Sequence, residues 1–94
     1  MEGNSYFFEK GSTLGCDVAE GVHPFQQTHR AFQITKRKRT CRHPQLEVGD
    51  IITHINNKQV SSMHVFGRKF SENVTLRVFH LRDVIRFQQQ QQVY

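Results

Sequence analysis

LEVGDIITHINNKQV, residues 46–60, decides how this chain folds. Gly49 stands just before a β-prone run and supplies a backbone shape that residues carrying a Cβ resist. Asp50 follows it, and a carboxylate there can tie its own turn by accepting amide hydrogens. The strand is expected over residues 50–56, with Ile52 and Ile55 facing the core. Asn56-Asn57 closes it, because asparagine tolerates the left-handed conformation that a tight corner demands. Turn, strand, corner and a further short strand therefore follow one another, and nothing in the stretch is catalytic.

Working outward, the flanks also favour strands. Residues 6–9 form a short β-prone run stopped by Lys10-Gly11-Ser12. In residues 15–19, Cys16 and Val18 alternate with Asp17, the pattern of a half-buried strand. Residues 21–30 read as a loop, and residues 31–35 alternate again before running into a basic cluster. Val74, Leu76 and Val78 alternate with Thr75, Arg77 and Phe79 in the last strong strand. Helical spacing of Met63, Phe66 and Phe70 predicts a short helix over residues 62–70, weakened at Gly67 by about 1 kcal/mol relative to alanine. Beyond residue 80, Leu81, Val84 and Ile85 suit either one helical turn or an extension of the last strand, with Phe87 covering the core edge. Gln88 to Gln92 is a low-complexity run with no reason to fold.

Ninety-four residues suffice for one small core. No run approaches the roughly 18 apolar residues of a membrane span, and the first residues lack a hydrophobic signal core, so a soluble cytoplasmic protein is expected. Two cysteines, Cys16 and Cys41, are too few for a secreted disulfide scaffold, and reduced packing thiols are expected. The net charge is +5, unevenly spread: residues 21–46 hold no acid, while Lys36, Arg37, Lys38, Arg39 and Arg42 form a basic patch there. Such a patch attracts acidic partners or lipid headgroups, yet without interleaved aromatics it predicts no specific nucleic-acid binding; a solvated loop that keeps the domain soluble is the favoured reading. Cys41-Arg42-His43 could be half of a metal site, but no second pair stands at zinc-finger spacing, so neither metal nor cofactor is expected. No motif announces a nucleophile with a positioned base and an oxyanion site, which argues against an enzyme.

The central stretch resembles the PDZ family. "LEVGDII" followed by "INNKQV" is similar to that family's L-x-x-G-D-x-I-x-x-V-N-G-x-x-V centre. Upstream, "EKGSTLGCDVAEG" (residues 9–21) resembles the first strand, basic residue, carboxylate loop and second strand of the family; downstream, "NVTLRV" (residues 73–78) resembles the last strand. The likeness departs in three places. Thr13-Leu14-Gly15-Cys16 replaces the usual Gly-Leu-Gly-Phe, Asn57 stands for the usual glycine, and the segment between Val60 and Val74 is shorter than usual.

What the resemblance implies is a mainly β (α+β) fold: a partly open barrel or sandwich of five or six strands with two short helices, the second truncated. It implies a domain over residues 6–87, an N-terminal extension over 1–5 and a disordered Gln-rich tail over 88–94, within a larger scaffold. Its partners would be C-terminal peptides of other proteins, added as an antiparallel strand to the second strand. The peptide carboxylate would sit on the amides of Leu14, Gly15 and Cys16 beside Lys10, with Asp17, Val18, His64, Phe66 and Phe70 forming the groove. His64 would select Ser or Thr two positions before the peptide's end. The function implied is adaptor or scaffold work in signalling, in the cytoplasm or peripherally at membranes. Two other readings stand beside it: a degenerate groove whose basic face binds acidic lipid or nucleic acid, and the regulatory PDZ domain of a protease. The end of the chain at Tyr94 could itself enter the groove of a second copy and drive self-association.

Overall fold

The computed structural model describes residues 3–25 and 29–91. Six strands, β1 (Asn4–Phe8), β2 (Cys16–Val22), β3 (Arg30–Arg37), β4 (Ile51–Ile55), β5 (Lys58–Gln59) and β6 (Val74–Phe79), form an antiparallel sheet. Its order is β1-β6-β4-β3-β2, with the short β5 paired to β4, so β1 and β2 are the two edges. Among the described residues, a single 3-10 turn, Met63–Phe66, and one helix, α1 (Leu81–Gln91), complete the fold. The mainly β expectation holds at this level.

The central stretch folds as its residues dictate. Gly49 has φ +97°, and Asn56 and Asn57 take left-handed φ values of 51° and 65°. Asp50 Oδ2 accepts the Glu47 amide at 2.9 Å, closing the turn that precedes β4. Ile52 is fully buried and Ile55 packs against the core, although they stand three positions apart. A register irregularity between Ile52 and His54 in the pairing with β6 shifts the alternation by one residue, which also buries Thr53. In β6, Val74, Leu76 and Val78 point inward as their alternation requires. With Phe32, Ile34, Leu46 and Phe8 they make the core, each large side chain contributing roughly 1.5–3 kcal/mol on burial.

Two segments depart from the sequence-based expectation. The helix over residues 62–70 is reduced to one 3-10 turn, capped by Ser62, whose hydroxyl accepts the His64 amide, and ended at Gly67. The chain then leaves helical geometry because Phe70 pairs with the loop of residues 9–15. Its amide donates to Ser12 O and its carbonyl accepts the Gly11 amide, both at 2.8 Å. Phe66 and Phe70 are both buried, whereas Met63 remains exposed. At the other end, residues 81–91 form a helix, so the expected structureless tract is helical from Gln88 through Gln91. The carbonyl of His80 accepts the amides of Asp83 and Val84 and so starts α1. Val84 is buried, and Phe87 meets Phe25 at a ring-centroid distance of 5.0 Å. The proposed ligand role of Tyr94 lies outside the described residues.

Near α1, His23 and His54 face one another with centroids 6.4 Å apart. Burial, then His54 and His29, hold the His23 imidazole below the ordinary histidine value; burial, then Arg77 and His29, do the same for His54. Because both rings are lowered in the folded state, the unfolded chain takes up protons first as pH falls below its value of about 6.5. The stability they permit is therefore complete above that pH and declines as pH falls toward the folded values. Urea unfolding at about pH 7.5 and about pH 5 is expected to give the lower midpoint at the acidic pH, with a smaller drop in His54→Gln. An equal or higher midpoint at the acidic pH contradicts this.

Candidate functional site

The site begins at the sharp passage from the loop of residues 9–15 into β2. Gly15 has φ +73°, and an added Cβ would lie 2.6 Å from both the N and the Cα of Cys41, so only glycine fits there. Gly15 O accepts the Lys38 amide at 2.9 Å. The adjoining Cys16–Arg37 pair is therefore of the non-hydrogen-bonded kind, and the amide and carbonyl of Cys16 point to the outer edge of β2. No acceptor among the described residues takes the amides of Leu14 or Gly15. An unbonded amide at Gly15 next to the outward amide of Cys16 favours an anionic group.

Beside this edge lies a cleft of about 570 Å³. One wall is Thr13, Gly15, Cys16, Asp17 and Val18; the other is the 3-10 turn, through Met63, Phe66 and Gly67. Lys38 and Thr40, from the segment after β3, complete the lining. Lys38 Nζ lies 3.1 Å from Asp17 Oδ1, an ion pair with both side chains about half exposed and therefore worth little to stability. Phe66 forms the apolar floor, packed edge-on against Phe32 at 5.7 Å between centroids.

Of the residues the sequence singled out, Thr13, Gly15, Cys16, Asp17, Val18 and Phe66 come together around this cleft. Leu14 is fully buried, main chain included, and does not line the cleft, so it belongs to the core. Phe70 is displaced: it packs on Phe8 at 5.5 Å and borders a separate hollow with Ile55 and Val74. Lys10 is exposed, its amide donates to Asn73 Oδ1, and its side chain does not line the cleft. His64 is exposed on the 3-10 turn and does not line it either, because four helical residues cannot carry a side chain along the strand. Lys36, Arg37, Lys38, Arg39 and Arg42 are all exposed. They are not one loop, however, since Lys36 and Arg37 are strand residues of β3.

Sequence reasoning assigned Lys38 to the basic patch and not to the groove, and it did not name Thr40, Met63 or Gly67 as groove residues. No periodicity signalled Lys38: the register shift between Asp17 and Val18 skips Thr35 and breaks the alternation of β3 before Lys38 is reached. Among the described residues no group of three or more His, Cys, Asp or Glu could hold a metal ion, and no helix is long and apolar enough to cross a membrane. Compared with protein-family models, curated proteins and solved structures, the chain gives no match.

Proposed function

We propose that this domain binds the C-terminal end of an extended peptide, as a PDZ-like interaction module. The observation that carries this reading is the coincidence, at one place, of a free sheet edge, outward main-chain amides and an apolar-floored cleft. The peptide adds as an antiparallel strand to β2, its main chain bonding to the outward groups from Cys16 onward. Its carboxylate meets the amides of Gly15 and Cys16, which border the cleft. Its last side chain enters the cleft over Phe66. Because Cys16 is small, that side chain is a bulky one such as Leu, Ile or Phe.

Lys38, rather than Lys10, supplies the cation at the carboxylate end, since Lys38 lines the cleft. A screen against peptides with free C-termini, each with an amidated control, tests the whole reading. Binding only by free carboxylates supports it; equal binding of amidated forms rejects it. Against the best peptide, Lys38→Glu is expected to weaken affinity about tenfold, because it reverses charge beside a partly desolvated carboxylate. Lys10→Ala and Lys36→Glu should leave affinity within about threefold, since exposed charges away from a site act through screened fields. Fluorescence anisotropy of labelled peptide separates these outcomes. If no peptide binds while acidic vesicles do, with steep salt dependence, the exposed basic face is the working surface instead.

A further inference from the structure

The thiols of Cys16 and Cys41 lie 3.8 Å apart, in contact but unbonded. A disulfide needs about 2.05 Å between the sulfurs, so an approach of under about 2 Å closes it. The two main chains already touch, because Gly15 packs directly on the backbone of Cys41. Cys16 is anchored at the start of β2 and lines the cleft. Cys41 is half-buried in the turn whose amide bonds to Lys38 O, and that turn carries Lys38 and Thr40 into the cleft wall.

We propose that Cys16 and Cys41 are a redox-modification site: they form a reversible intramolecular disulfide that clamps the segment of residues 38–41 to the first residue of β2. The oxidant is a small-molecule disulfide of the glutathione class. The Cys41 thiolate attacks one sulfur of the glutathione disulfide, whose S–S bond breaks and releases one glutathione thiolate. Cys16, giving up its proton, then attacks Cys41 Sγ; the Cys16–Cys41 bond forms and the second glutathione leaves. The two protons lost by the cysteines end on the two glutathiones, so one disulfide is reduced as one is formed. Burial, followed by the neighbouring Cys41, pushes the Cys16 thiol up to about 12, which makes its attack the slower step and casts Cys41 as the entry point.

The bridge is a property of the thiols alone and stands or falls apart from any peptide reading. The test incubates the full chain, folded, with glutathione disulfide, and follows intact mass without reductant. The expected product is monomeric, lighter by two hydrogen atoms, lacks alkylatable thiol and reverts with dithiothreitol. In Cys16→Ser, the reaction should stop at a glutathione adduct on Cys41. Amide exchange at Lys38 and Cys41 should slow by about tenfold in the bridged protein, while β6 is unchanged. Persistent free thiols, a lasting glutathione adduct on the unaltered chain, or disulfide-linked dimers would overturn the bridge. Unchanged exchange at Lys38 and Cys41 would overturn the clamp.

Discussion

Asp50→Ala is expected to cost about 3–5 kcal/mol of folding stability and to release the C-terminal helix. Asp50 is 2% exposed, and its carboxylate joins three parts of the chain. Oδ2 accepts the Glu47 amide at 2.9 Å and His80 Nδ1 at 2.8 Å, and Oδ1 accepts the Leu81 amide at 3.4 Å. With Nδ1 donating to Asp50, Nε2 of the same His80 ring lies 2.8 Å from the Tyr6 hydroxyl. Burial, then Asp50, raise the Tyr6 hydroxyl above its ordinary value, so it keeps its proton. Alanine leaves the buried His80 Nδ1 and the part-buried amides of Glu47 and Leu81 without their acceptor and removes a negative charge from the N-terminus of α1, where the helix dipole favours it. Urea unfolding followed by circular dichroism measures the loss, and helical signal should fall even where the sheet persists. Tyr6→Phe, which breaks only the outermost link, should cost about 1 kcal/mol. A loss for Asp50→Ala no larger than that for Tyr6→Phe would show that the carboxylate does not organise the network.

Gly15→Ala is expected to cost about 3 kcal/mol, against about 1 kcal/mol for Gly11→Ala. Both glycines have left-handed φ, +73° and +86°. The conformational penalty for an L side chain, about 1–2 kcal/mol, is therefore common to the two. The surroundings differ. A Cβ on Gly11 meets nothing within 4 Å, whereas one on Gly15 meets the Cys41 main chain at 2.6 Å. The backbone there cannot swing aside as a side-chain tip could, so β2 or the segment of residues 38–41 must move. The difference between the two variants isolates that steric part, and equal losses in chemical denaturation would contradict it. Because Gly15 stands at the mouth of the cleft, the shift should also disturb the Lys38 amide, which an NMR amide spectrum reads directly.

The cluster of residues 46–60 was legible because its determinants are local. A glycine with positive φ, a carboxylate closing a turn over three residues and two left-handed asparagines need no distant partner. The same holds for β6, whose alternation is written in its own side chains. The partial list of cleft residues came from the same source: once Cys16 begins β2, Asp17 and Val18 follow along the same strand.

What the tertiary structure alone decided depends on groups far apart in the chain. Residues 62–70 have helical spacing, yet Phe70 gains more by bonding to Gly11 and Ser12 than another helical turn could offer, and this removed His64 and Phe70 from the expected groove. Lys10 was turned away by the bond of its amide to Asn73, 63 positions on, while Lys38 was brought in by its bond to Gly15. The Tyr6–His80 contact spans 74 positions and the Cys16–Cys41 contact 25. Local sequence fixes φ, alternation and caps, because these are set by a residue and its near neighbours. Which distant groups meet is set by how the strands stack and where their bulges fall, and no periodicity along the chain encodes that.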